Sequence, residues 1–306
     1  MSAPIAPLPA TRIGRHVFAW GTRTFVMGIV NVTPDSFSGD GLLMAAGGST
    51  ATDAAASAAA AAVALEAAVE AAVTQARRMV DEGADILDVG GESTRPGHVP
   101  VPAEEEAARV VPVIAAIHAA LPELPISVDT SKADVAAAAL DAGAVLLNDV
   151  WGVGGDGAMA RLAGERQVPL IVMHNRAEAS YEDFVAELLA DLSGALTRAQ
   201  GLGVPRQNLI VDPGFGFGKT PEHNLELLRH LRDVRALGYP VLLGTSRKST
   251  LGRVLGGVPT EERLEATLAT TALGVAGGAD IVRVHDVLAN VRTARMSDAI
   301  VRGGFR

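Results

Sequence analysis

Gly218-Lys219-Thr220 closes the run DPGFGFGKT (Asp212 to Thr220) as a phosphate-binding loop would close. Such a loop needs a glycine five positions earlier, so that backbone N–H groups wrap a phosphate while the Lys and hydroxyl reach the outer oxygens and magnesium. Pro213 stands there instead and has no N–H to offer. A dinucleotide loop fails too, because Lys219 occupies the place of the third glycine in G-x-G-x-x-G. Chemistry-bearing side chains recur elsewhere at regular places: Asn31, the cluster GGESTRP (90–96), Asp129, Asn148, His174, Asp212, Ser246 with Lys248, and Arg283 with His285. Acids and amides dominate the set, and a basic Arg-His pair closes it.

Each of these groups follows a short apolar run. The runs are FVMGIV (25–30), DILDV (85–89), PISV (125–128), AVLLN (144–148), PLIVM (169–173), NLIVD (208–212), PVLLG (240–244) and DIVRV (280–284). Turn clusters and helix-compatible stretches separate them, which is the pattern of βα units. Eight such units predict an α/β fold of the (β/α)₈ TIM-barrel type, with a doubly wound open sheet as the alternative. Barrel enzymes carry their reacting groups at the C-terminal strand ends, where these residues fall. Alternation along a strand sharpens the point: Arg283 with His285, Ser127 with Asp129, and Ile210 with Asp212 share inward faces, and Asp88 and Glu92 join from the second strand.

A single Asp or Asn at a strand end is more often a helix cap or turn former than a ligand group. Eight ends occupied together are harder to assign to capping, because buried charges are costly unless paired or used. Lys132 and Asp134, at the start of a helix, are assigned to structure. Lys219 is expected to be solvated or to brace its loop, whereas Lys248 in TSRKS reads as functional.

Bulk properties bound the partners. The chain has 306 residues, 48% hydrophobic, 20% charged and 4% aromatic, with a net charge of −9, which excludes a general nucleic-acid or membrane-surface binder and requires a local basic site for any anionic ligand. With no cysteine there is no disulfide, thiolate metal site or Cys nucleophile. No secretory signal is read at the N-terminus, and a cytoplasmic location is expected. Residues 1–15 read as a tail and 16–306 as one barrel domain. A small hairpin with a Gly-centred turn is expected in RHVFAWGTRTFVM. The alanine-rich stretch from Gly48 to Ala72 reads as a helix or surface insertion after the first strand loop; Asp53, Glu66 and Glu70 argue against a membrane span.

Taken together, GIVNVTPDSFSGDG, DILDVGGESTRPG, ISVDTSK, LLNDV, VDPGFGFGKT, LLGTSRKS and VRVHDV resemble, in order and spacing, the motif series of the dihydropteroate synthases, over about residues 17 to 300. That resemblance implies a (β/α)₈ barrel that condenses 6-hydroxymethyl-7,8-dihydropterin diphosphate with 4-aminobenzoate, using Mg²⁺, in folate biosynthesis; a homodimer is usual there. It implies a pterin pocket of Asp129, Asn148, Asp212, Phe217, Gly244 and Lys248, and a diphosphate site of Asn31, Thr94, Arg95, Arg283 and His285, with Asn31 contacting the metal. It further implies an aminobenzoate pocket of Phe37, Thr94, Pro96, Phe217, Lys248 and Ser249, and coupling of two loops through Asp35 and Arg95. The catalytic set is then Asp129, Asp212, Lys248, Arg283 and His285. The glycines of DPGFGFGKT would let their loop turn tightly and approach the pterin. Competing readings are a noncatalytic pterin-binding relative, a folate-dependent methyltransferase, which needs no diphosphate clamp, and a P-loop NTPase, which Pro213 opposes.

Overall fold

Every apolar run named above forms a strand, and the strands close on themselves. The computed structural model describes residues 8–32, 51–92, 101–151 and 153–303, with only the helical backbone over 51–61. A hairpin, β1 (Thr11–Ile13) and β2 (His16–Phe18), precedes the barrel. The barrel strands are β3 (Phe25–Asn31), β4 (Ile86–Gly90), β5 (Ile126–Asp129), β6 (Leu146–Asp149), β7 (Leu170–Met173), β8 (Leu209–Asp212), β9 (Leu242–Leu243) and β10 (Ile281–Val284). All neighbours pair in parallel in the order β8-β7-β6-β5-β4-β3-β10-β9, and a bridge between Val211 and Val241 joins the two ends. The ring is a (β/α)₈ barrel; the open sheet is excluded by that bridge.

Helices connect the strands: α1 (Ala51–Asp81), α2 (Ala103–Ala120), α3 (Ala133–Asp141), α4 (Ala158–Arg166), α5 (Phe184–Gly201), α6 (Pro221–Arg229), α7 (Leu231–Arg235), α8 (Ser249–Val254), α9 (Leu264–Gly277) and α10 (Val287–Val301). The alanine-rich stretch is thus the N-terminal part of α1, one helix that ends against the barrel, where Ala72, Ala76 and Met79 are buried. No described helix is long and apolar enough to cross a membrane.

Strand alternation divides the core in two. Val26, Val30, Leu87, Val89, Val128, Leu147, Val211 and Val282 face the helices, whereas Phe25, Met27, Ile86, Leu146, Ile171, Ile210, Leu242 and Ile281 fill the barrel. Parallel strands buried on both faces need such continuous apolar runs. The inner stack stops one residue pair below the C-terminal ends, and polar side chains take over.

The hairpin corrects the sequence reading in two respects. Its turn is Gly14-Arg15, with Gly14 at φ +59°, rather than Gly21, and its first strand falls within the stretch read as a tail. Thr11 and Ile13 are fully buried because the hairpin plugs the barrel floor. Phe18, Trp20 and Phe25 stack there with centroids 4.7–5.6 Å apart, and the Trp20 indole donates to Thr11 Oγ1 at 2.8 Å. Gly21 instead donates its N–H to Asp280 Oδ1 at 3.0 Å on the way into β3.

Candidate active site at the C-terminal strand ends

One hydrogen-bonded network spans four strands at the barrel mouth. Arg283 on β10 donates from Nε to Asp88 Oδ2 and from Nη2 to Asp129 Oδ2, both at 2.6 Å, reaching past β3 to β4 and β5. Asn148 on β6 donates to the same Asp88 oxygen at 3.0 Å. Asp88 Oδ1 and Asp129 Oδ1 are buried without a hydrogen bond from any described residue. Buried acceptors of that kind are expensive, and a donor-rich ligand would satisfy them.

A second group gathers around β8. Asp212 Oδ1 accepts from the Gly214 N–H at 2.7 Å. Lys248 donates to the Phe215 carbonyl, lies 4.2 Å from the centroid of the Phe217 ring, and acts electrostatically on both Asp212 and Asp129. The two groups therefore form one site. Gly244, at the end of β9, leaves room for the stem of Arg283; a Cβ there would lie 3.8 Å from its Cβ. Ser246 Oγ accepts from the His285 N–H at 3.1 Å and lies 2.9 Å from His285 Nδ1. One hydroxyl thus engages both the backbone and the ring of His285. Asn31 ends β3 at the mouth, in register with Gly90, and Ser249 is exposed at the start of α8. Asp35, Phe37, Thr94, Arg95 and Pro96 lie outside the described residues.

Electrostatics mark the same residues. Burial pushes the Asp129 carboxyl up to about 7, against the pull of Arg283. Burial also raises Asp212, opposed chiefly by Lys248, and lowers Lys248 to about 8. Burial works against the Arg283 charge, but Asp88 and Asp129 overcome it and raise the guanidinium above its ordinary value. Perturbed groups clustered in a cleft are what a catalytic site requires. A stability consequence follows for Asp129. Its unfolded carboxyl titrates near 4, so between about pH 4 and 7 the folded protein holds the proton the unfolded chain has released. The stabilisation is complete below that window and lost as pH rises through it. Urea unfolding across pH 4.5–7.5 should show wild type losing stability relative to Asp129→Asn; a constant difference would contradict the assignment.

The glycines of DPGFGFGKT have a structural explanation. Gly214, Gly216 and Gly218 all sit at positive φ (+71°, +84°, +53°). A Cβ on Gly214 would overlap the His174 carbonyl oxygen, and one on Gly218 would overlap the Arg176 backbone. The close approach is to the neighbouring loop after β7, and a Cβ on Gly216 would lie 2.9 Å from Lys248 Cδ. Gly214→Ala combines a left-handed backbone with a backbone overlap, so a loss of more than about 2 kcal/mol is expected. Denaturant unfolding checks it, and a variant as stable as wild type would show that the overlap relaxes freely.

Lys219 is held rather than solvated. It braces its loop through His174 and the Phe217 carbonyl. Lys132 joins Glu92 and the fully buried Glu106, at 2.5 Å from the latter, which makes it structural as assigned. Glu106 was not singled out in the sequence. Its spacing with Val110, Val113 and Ile117 puts it on the buried stripe of α2, a signal hidden by the acidic run Glu104–Glu106. Trp151 was missed as well. With Val150, Asn175 and Phe217 it lines a cavity of about 80 Å³ beside Asp129, and its N–H is fixed by Asp149 Oδ1 at 2.9 Å.

The geometry has close counterparts. Residues 52–285 match the family model of the pterin binding enzymes. The dihydropteroate synthase of Clostridium beijerinckii is 47% identical over 292 residues, covering 95% of this chain and 99% of that one. Among solved structures, the dihydropteroate synthase of Xanthomonas albilineans with 4-aminobenzoic acid superposes with a TM-score of 0.82 at 40% identity, covering 96% of this chain and 98% of the other. That of Clostridium difficile, in the presence of pteroic acid, gives 0.80 at 45% identity, covering 92% and 98%. A mouth lined by paired carboxylates, an amide, a lysine and an arginine, on a barrel shared with these enzymes from end to end, places the chain in the pterin-binding enzyme family, among its dihydropteroate synthases.

Proposed function

We propose that this chain condenses 6-hydroxymethyl-7,8-dihydropterin diphosphate with 4-aminobenzoate, releasing 7,8-dihydropteroate and diphosphate in folate biosynthesis. The observation that carries the reading is the joint network of Asp88, Asp129, Asn148 and Arg283 beside Asp212 and Lys248, all at the C-terminal strand ends. A pterin presents amino and ring N–H donors on one edge, which suit the carboxylates of Asp212 and Asp129, while its ring nitrogens and carbonyl suit the Asn148 amide and Lys248. Arg283 and His285 supply donors and charge for the diphosphate.

In the reaction the methylene C–O bond breaks, the aromatic amine forms the C–N bond, and a proton leaves the amine. Diphosphate departure leaves positive charge on the methylene and the electron-rich ring. Catalysis therefore rests on stabilising the leaving group and excluding water, with no covalent nucleophile. Phe217 and Ser249 border the aromatic amine in this reading, and Lys248, whose Nζ lies over the Phe217 ring, would stand between the two substrates.

The donor set suits magnesium held mainly by diphosphate and water. The described residues contain no cluster of three acidic or His ligands; in this reading the Asn31 amide oxygen would be the protein ligand, with the rest of the shell supplied by phosphate and water. Bound there, the ion would neutralise diphosphate charge. The same reading makes the enzyme a cytoplasmic homodimer, a state sedimentation equilibrium measures; exposed Leu273, Met296 and Ile300 on α9 and α10 offer an apolar face. The decisive test follows diphosphate release and dihydropteroate formation together, with and without magnesium. Pterin binding without turnover would favour the noncatalytic relative, and methyl transfer the methyltransferase.

A further inference from the structure

We infer that Lys219 and His174 form a clamp that positions Phe217 for the aromatic amine, making Lys219 a positioning residue of the reaction although it belongs to neither substrate pocket. The inference rests on the function proposed above and adds a component to it. Lys219 Nζ lies 2.8 Å from His174 Nδ1 and donates to the Phe217 carbonyl at 2.9 Å, so one amine ties the loop after β8 to the end of β7 at the residue whose ring borders the site.

The imidazole is built to accept. Asp191 is held by Arg176, whose Nε and Nη2 lie 2.8 and 2.7 Å from Asp191 Oδ2, and the same oxygen is 3.1 Å from His174 Nε2. An ionised Asp191 fixes the proton on Nε2 and leaves the Nδ1 lone pair facing Lys219. Burial, helped by the Lys219 charge, lowers His174 to about 4, so the ring stays an acceptor across the working range. Burial lowers Lys219 to about 7, but a neutral amine still has an N–H for each of its two nearer acceptors, His174 Nδ1 and the Phe217 carbonyl; the His174 carbonyl lies farther off at 3.4 Å.

The loop is held at other points as well. Gly214 and Gly218 press against the backbone of His174 and Arg176, and Tyr181 Oη donates to the Gly218 carbonyl at 2.7 Å. These contacts hold the two ends of the glycine run. Phe217 lies between them, and the Lys219 bond is made to its own carbonyl. Asp212, by contrast, keeps its Gly214 N–H bond and the nearby Lys248 without Lys219, whose charge is the smallest of those named as acting on it. Loss of the clamp should therefore fall on the aromatic amine more than on the pterin.

The test is steady-state kinetics with calorimetric pterin binding on Lys219→Met. KM for 4-aminobenzoate should rise at least about 10-fold, while kcat and pterin affinity change less than about 3-fold. Equal losses for both substrates would reduce Lys219 to a general structural role and overturn the inference, as would an unchanged KM. His174 supplies an independent arm should Lys219→Met fail to fold. His174→Asn keeps an acceptor where Nδ1 stood and should stay within about 3-fold of wild type, whereas His174→Leu should reproduce the KM defect. If both His174 variants behave alike, the clamp is refuted. A wild-type enzyme that makes no dihydropteroate would instead refute the proposed function, so the two failures are distinguishable.

Discussion

Asp212→Ala should leave the barrel folded and unable to hold a pterin. Asp212 ends β8 inside the mouth, 6% exposed, and spends Oδ1 on the Gly214 N–H. Lys248 is the strongest of the charges acting on it. Charge-assisted hydrogen bonds contribute roughly 1.5–3 kcal/mol each, so losing two to an aminopyrimidine edge should cost at least about 3 kcal/mol, or more than about 100-fold in affinity. Asp212→Asn sharpens the test. The amide can keep the Gly214 bond while presenting N–H donors to a donor edge, so it should bind as poorly as Ala. Calorimetric titration with a pterin lacking diphosphate measures both. Binding by either variant within about 3-fold of wild type would remove Asp212 from the pocket. Folding should suffer less than binding, because burial already disfavours this carboxylate in the native state.

How much of this was legible depended on whether a residue's role is local. Asp129, Asn148, Asp212 and Arg283 could be placed at the mouth because strand alternation is a property of neighbours in sequence, and each follows an apolar run by a fixed step. The hairpin was misplaced because Gly21 looks as good a turn former as Gly14. Only the burial of Thr11 and Ile13 under the barrel decides between them. The partners of Arg283 were hidden for a different reason. Reaching Asp88 and Asp129 requires the registers β10 to β3 to β4 to β5, which join residues nearly 200 positions apart. Lys219 illustrates the limit from the other side: the sequence leaves it either solvated or bracing its loop, and the packing of the loop on His174 decides for the brace.

Those partners change what Arg283→Met should do. A guanidinium reserved for diphosphate could be removed without touching the pterin, yet two of its nitrogens hold Asp88 and Asp129. Among the described residues, Asp88 without Arg283 retains only Asn148, and Asp129 has no other hydrogen-bond partner for either oxygen. Breaking a buried ion pair by removing one member costs about 3–5 kcal/mol. The side chain retains 19% exposure, so the lower end is expected. The sign of the pH dependence is fixed by the same geometry. Asp129 already titrates at about 7 with Arg283 present, and losing that attraction raises the folded value further. The variant must then lose stability relative to wild type as pH rises past 7, because its folded state retains a proton that the unfolded chain gave up near pH 4. Urea unfolding at pH 5.5 and 8.5 should show the smaller gap at 5.5; a gap that is equal or reversed would mean that the carboxylates do not depend on Arg283. Binding should divide unequally as well. Diphosphate-bearing pterin loses the cation itself, whereas free pterin loses only the ordered Asp129, so the first should weaken far more than the second, and equal losses would assign Arg283 to the pterin pocket alone.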